Sequence, residues 1–247
     1  MAPAHFESLT VFFPMWNEEE YIGRAVSAAQ EACEALIAAG EIGDFEVLII
    51  DDASTDATGK LADEMAAVDR RVRVVHHPKN RKLGGSLKTG YSEATGELVL
   101  YSDADLPFDM DELVKACRVM RHYEADIVSA YRFDRTGEGP VRVVYSAIYN
   151  TLVRILFGVR MRDINFAFKL TRRRVLDVVQ LQSEGSFIDA ELIVRAMGHG
   201  FKVVQFGVDY FPRTRGISTL SSPAVIVKLL KEMFSLRTAL RAIRPAP

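Results

Sequence analysis

The chain has 247 residues, 49% of them hydrophobic and 26% charged, values that describe a globular protein of one or two domains and exclude fibrous, collagenous and wholly disordered classes. The net charge of −2 hides an asymmetry: residues 1–131 carry 12 Lys and Arg against 24 Asp and Glu, and residues 132–247 carry 19 against 9. An acidic half suits a metal and a basic half suits phosphates or an anionic surface. Nucleic acid is not expected, because no zinc-finger, RNP-type or similar motif accompanies the basic half.

Short apolar runs alternate with helical patterns through the first half. Residues 9–13 read as a strand, 18–39 as a helix, 46–50 as a strand and 56–68 as a helix. Strand 72–76, helix 85–94, strand 98–102, helix 109–122 and strand 127–131 follow. This alternation predicts an α/β fold, a mostly parallel central sheet with helices on both faces. The second half is less regular. Residues 141–159 form an apolar helix-like stretch, 166–170 and 203–208 read as strands, 188–197 as a helix and 209–222 as a loop. Residues 224–243 form a basic amphipathic helix. The expected organisation is one domain over 1–222 with a C-terminal helical appendage over 223–247.

No apolar run reaches the ~18 residues that a membrane span needs, and the N-terminus has neither the basic start nor the apolar core of a secretory leader. Cys33 and Cys117 belong to no Cys-x-x-Cys pair, which argues against a disulfide framework or a structural zinc and fits a reducing cytoplasm. The five histidines fall in no ligand spacing, so histidine chemistry is not expected.

Polar residues gather where the strands end. Asp103-Ala-Asp105 follows one strand, and two carboxylates one residue apart can engage Mg²⁺ or Mn²⁺ while leaving positions open for phosphates. Alone, such a pair also reads as an ordinary turn. Asp51-Asp52-Ala-Ser-Thr-Asp56 follows an earlier strand. Asp52 there could accept a ribose hydroxyl or a base N–H, with Asp56 serving the next helix start. Pro14-Met-Trp16-Asn-Glu18 follows the first strand. Trp16 could face a base and Glu18 accept its N–H groups, or the segment could simply start a helix.

Taken together, Pro14-x-x-Asn17-Glu18, Asp51-Asp52-x-Ser54-Thr55-Asp56, Gly84-Gly85…Gly90 and Asp103-Ala-Asp105 resemble, in order and spacing, the family 2 glycosyltransferases of the GT-A fold. Within that family the chain is similar to the polyprenyl-phosphate enzymes, the dolichyl-phosphate mannose synthases and glucosyltransferases. Arg142-x-x-x-Ser146-x-x-x-Asn150, Asp163-Ile-Asn165-Phe-Ala-Phe168 and Arg213-x-x-Gly216-x-Ser218 extend the resemblance to about residue 220. Pro107 stands where many relatives carry Gln, so one metal ligand of the pattern is missing.

The resemblance implies inverting transfer of a hexose from a GDP-mannose or UDP-glucose type of donor to a polyprenyl phosphate. Pro14, Trp16, Glu18, Asp52, Asp103, Arg213 and Ser218 would hold the nucleotide sugar. Asp103 and Asp105 would hold Mg²⁺ or Mn²⁺, and Arg132 and Arg142 the acceptor phosphate. If the acceptor is instead a hydroxyl, a base is needed, and Asp189 is the best candidate beside a reading as a first-turn helix carboxylate. A non-catalytic nucleotide-sugar-binding subunit is a further alternative. The expected location is cytoplasmic and peripheral, with the C-terminal helix on a membrane surface or a membrane-anchored partner.

Overall fold

The computed structural model describes residues 5–134, 140–211 and 223–243. In chain order the elements are β1 (Phe6–Met15), α1 (Ile22–Ala38), β2 (Ile42–Asp51), α2 (Thr58–Val68), β3 (Val72–His76), α3 (Lys82–Glu93), β4 (Leu98–Ser102) and α4 (Glu112–His122). These are followed by β5 (Ile127–Arg132), α5 (Pro140–Phe157), β6 (Phe168–Arg172), α6 (Arg173–Leu176), α7 (Ile188–Gly198), β7 (Val203–Val208) and α8 (Pro223–Ala242).

The strands form one seven-stranded sheet in the order β3-β2-β1-β4-β6-β5-β7. All pairings are parallel except the two made by β6, which lies antiparallel between β4 and β5. Sequence alternation sorts the side chains onto two faces. Leu9, Val11 and Phe13 of β1, Val47 and Ile49 of β2, and Leu98 and Leu100 of β4 join the core beneath α1, α2 and α4. Phe12, Leu48, Ile50, Val99 and Tyr101 join the core beneath α3, α5, α6, α7 and α8. Both faces are covered, which is why these strands read as unbroken apolar runs.

Several boundaries shift from the sequence reading for local reasons. The first helix begins at Ile22 rather than residue 18. Asn17 adopts φ 56°, and the Glu18 and Glu19 amides donate to Thr58 Oγ1 and Asp56 Oδ2 instead of entering a helix. β6 begins at Phe168 rather than 166, because Phe166 N–H closes a turn on Asp163 O. The short α6 was not expected. The C-terminal helix packs on the body: Met233 and Leu240 are buried in the second core. The Arg241 Nε donates to Leu156 O at the end of α5, 2.7 Å away.

Glycine sets how closely α3 approaches the sheet. A Cβ on Gly90 would lie 2.2 Å from the Phe12 ring, and one on Gly84 would lie 2.4 Å from the backbone of Glu184. Gly90→Ala therefore forces α3 away from β1. An overpacking cost of about 1–3 kcal/mol is expected, read as a fall in Tm of about 2–4 °C per kcal/mol for a chain of this size. An unchanged Tm would contradict the contact.

Candidate active site

The carboxyl ends of β1, β2 and β4 lie side by side, because these strands are parallel neighbours. Backbone and side-chain hydrogen bonds lock the first two loops together. Asp52 N–H donates to Met15 O at 2.8 Å, Asn17 N–H to Ser54 Oγ at 3.0 Å and Thr55 N–H to Asn17 Oδ1 at 2.8 Å. Asp56 accepts the Thr58 amide at 2.9 Å, so it serves the start of α2. Each strand end also holds a non-glycine residue in the left-handed region: Asn17 (φ 56°), Ala53 (φ 59°) and Leu106 (φ 50°). Such backbone costs roughly 1 kcal/mol or more per residue and persists only where its surroundings enforce it.

Trp16 stands 49% exposed at the edge of this cleft. Pro14 lies on the final stretch of β1, paired with Ile50. Asp103 accepts the Tyr101 hydroxyl at 2.8 Å. Loss of hydration and the adjacent Asp105 charge push the Asp103 carboxyl up to about 7; Asp189 and Glu18 add to the push, so all four carboxylates share one electrostatic neighbourhood. A divalent cation on Asp103 and Asp105 would relieve that repulsion, so the donor set fits a hard metal. Among the described residues no three His, Cys, Asp or Glu form a metal-holding group. The described residues therefore offer two carboxylates, and phosphate oxygens of a ligand would complete the coordination, as is common for Mg²⁺.

Asp52 is held more tightly than the sequence suggests. Its Oδ1 accepts from His77 Nδ1 at 2.6 Å and from the Arg81 amide at 2.7 Å. The His77 Nε2 lies 2.9 Å from Thr89 Oγ1, and Arg81 Nη1 donates to that same oxygen at 3.1 Å. Arg81 can only donate and a carboxylate can only accept. His77 Nδ1–H therefore donates to Asp52 Oδ1, and Thr89 Oγ1 accepts from Arg81. With both protein donors on Oδ1, Oδ2 is the oxygen left to meet a ligand. His77 was passed over in sequence because its partner is 25 residues away. The signal was the β2–β3 register, which sets Asp51 opposite His76 and so places Asp52 beside His77.

Asp189 sits at the first turn of α7, 3% exposed, with Lys169 Nζ 2.9 Å from its Oδ1. Burial raises its pKa and the Lys169 ammonium works against the rise. Lys169 itself is fully buried and also donates to Phe166 O. An interior ion pair of this kind fixes geometry, and this placement differs from that of an exposed base. The Arg132 guanidinium makes a two-pronged contact with Asp163 and lies over the Tyr210 ring, 5.0 Å from its centroid. Arg142 lies on α5. Arg213 and Ser218 lie outside the described residues.

His77→Ala removes one of the two donors to Asp52 Oδ1. A loss of about 1–3 kcal/mol in urea unfolding is expected. His77→Asn, whose amide nitrogen can reach Asp52, should recover part of it. Equal losses for Ala and Asn would show that the hydrogen bond itself contributes nothing.

Comparison with known proteins agrees with this geometry. The family described as Glycosyl transferase family 2 matches residues 10–179. Glycosyltransferase AglD of Haloferax volcanii is 33% identical over 210 residues, covering 83% of this chain and 33% of that protein, so the chain spans one third of that relative's length. Polyprenol monophosphomannose synthase of Mycolicibacterium smegmatis is 30% identical over 240 residues, covering 90% of this chain and 84% of the relative. Among solved structures, glucosyl-3-phosphoglycerate synthase from Mycobacterium tuberculosis, in complex with phosphoglyceric acid, superposes with a TM-score of 0.69 at 18% identity, over 97% of this chain and 81% of that one. Mannosyltransferase PcManGT from Pyrobaculum calidifontis, in complex with GDP-Man and Mn²⁺, gives 0.63 at 17% identity, over 98% and 71%. At such identities the structural likeness is one of fold, the GT-A fold. With the family match spanning most of its length, the chain belongs to glycosyl transferase family 2.

Proposed function

We propose that the chain transfers a hexose, with inversion, from a nucleoside diphosphate sugar of the GDP-mannose or UDP-glucose type to a polyprenyl phosphate. The observation that carries this reading is the convergence of Asp52, Glu18 and the Asp103–Asp105 pair beyond the carboxyl ends of the parallel neighbours β2, β1 and β4. Membership of the family supports it, as does the similarity to a polyprenol monophosphomannose synthase.

In this reading Asp52 Oδ2 accepts an N–H or hydroxyl of the nucleoside, and the exposed Trp16 ring and Pro14 border the base. Asp103 and Asp105 would hold Mg²⁺ or Mn²⁺, which when bound neutralises the charge that gathers on the diphosphate leaving group. Arg213 and Ser218 are proposed at the donor phosphates. Arg132 and Arg142 are proposed to orient the acceptor phosphate through the planar donor fork of Arg. A phosphate monoester, with a second pKa of about 6, is already largely ionised at neutral pH and needs no strong base. The pairing of Asp189 with Lys169 therefore favours a phosphate acceptor over a hydroxyl acceptor.

Such an acceptor lies at a lipid boundary, so a peripheral position at the cytoplasmic face of a membrane is part of the proposal. Among the described residues no helix is long and apolar enough to cross a membrane. Val144, Tyr145, Ile148 and Ile155 on α5, with Val227 and Phe234 on α8, are exposed and suit a surface contact.

Two variants test the reading. With radiolabelled donor, Asp105→Ala should lower transfer into organic-extractable product at least about 100-fold while leaving the circular dichroism spectrum unchanged. Near-normal turnover that still needs added metal would remove Asp105 from the site. Arg142→Ala should raise the KM for the phosphorylated acceptor more than that for the nucleotide sugar. Equal rises would place Arg142 at the donor or in the fold.

A further inference from the structure

Beyond the end of α5 the chain turns through Gly158, at φ 75°, and brings three arginines to one concavity of about 420 Å³. Its walls are Arg154, Arg160, Met161, Arg162, Tyr131 and Gln205. The turn is built rather than loose. Gln205 grips the backbone of Arg162 from both sides: its Oε1 accepts the Arg162 amide at 2.8 Å, and its Nε2 donates to Arg162 O at 2.7 Å. The Arg162 guanidinium rests over the Tyr131 ring, 5.2 Å from the centroid.

The nearby acceptors are already engaged elsewhere. The Asp163 carboxylate faces Arg132, and at the end of α5 Arg241 and the Gly158 amide serve the carbonyls of Leu156 and Arg154. Among the described residues no carboxylate pairs with Arg154, Arg160 or Arg162. Three like charges around one hollow repel one another, and their planar donor forks match the oxygens of a phosphate.

We propose that Arg154, Arg160 and Arg162 form a phosphate-binding cradle, a site for the phosphate ester of a ligand. The cradle requires neither the donor assignment nor the metal. Ile155, 65% exposed, follows Arg154 directly, and Ile148 and Tyr145 precede it on the same helix with half-exposed side chains. Apolar side chains beside guanidinium groups are the combination that a lipid phosphate meets at a membrane boundary. A soluble phosphate ester offers the same oxygens to the cradle, and the two sources are separable by experiment.

The test compares three proteins spanning residues 1–247: the wild type, a cradle variant (Arg154→Gln, Arg160→Gln, Arg162→Gln), and a charge-matched control at exposed positions on α1, on α2 and just after α2 (Arg24→Gln, Lys60→Gln, Arg70→Gln). Each is sedimented with phosphatidylcholine vesicles containing none or one fifth phosphatidylglycerol, and each is melted with and without inorganic phosphate. All three should give the same circular dichroism spectrum, since every altered side chain lies on the surface. The cradle variant should lose binding to the anionic vesicles about tenfold, and the control about threefold or less. Unchanged vesicle binding with loss of a phosphate-induced rise in Tm, in the cradle variant alone, would keep the cradle and assign it a soluble phosphate ester. Equal losses in the cradle variant and the control, or no loss in either assay, would overturn the cradle.

Discussion

The mutual repulsion of Asp103 and Asp105 is the constraint around which the site is organised. Burial first, then the Asp105 charge two positions on, with smaller pushes from Asp189 and Glu18, hold the Asp103 carboxyl up at about 7. Two carboxylates this close repel one another when both are ionised, and a cation between them would relieve that repulsion. The neighbouring acids have basic partners of their own. Asp189 has Lys169 at 2.9 Å, Asp163 has Arg132, and Asp52 has His77 at 2.6 Å. These pairs fix the framework carboxylates in place, and the closeness of Asp103 to Asp105 suits a cation bridging to phosphates.

The framework holds that pair by rigid means. β1, β2 and β4 are buried on both faces, so their register is specified and their carboxyl ends cannot slide. The loops beyond them are tied by Asp52 N–H to Met15 O and by the Asn17–Thr55 pair. The strained conformations of Asn17, Ala53 and Leu106 sit at these ends and nowhere in the strands themselves. On the opposite side of the site, Glu191 accepts the amides of Gln182 and Ser183 and is itself bound by Arg195. This holds the segment whose Glu184 backbone meets Gly84 at the start of α3.

Much of this was legible in the sequence because parallel strands announce themselves. Residues 72–76, 98–102 and 203–208 were placed at their observed bounds, and the polar clusters at strand ends followed from the rule that open α/β sheets bind ligands there. What was not legible depends on pairing across the chain. The antiparallel insertion of β6 brings Lys169 to Asp189, and no local pattern signals it. The β2–β3 register brings His77 to Asp52, so a histidine that fits no ligand spacing proved to position a carboxylate. The arginines after α5 read in sequence as part of a diffuse basic half, and only the turn at Gly158 and the Gln205 clamp gather them.

The most direct test of the central claim is isothermal titration of the wild-type protein with GDP and with UDP, each in the presence of Mn²⁺ and of EDTA. If Asp103 and Asp105 form a cation-dependent diphosphate site, at least one nucleotide binds, and its Kd rises tenfold or more when the metal is removed. No binding of either nucleotide with Mn²⁺ present, or a Kd indifferent to the metal, would contradict the account.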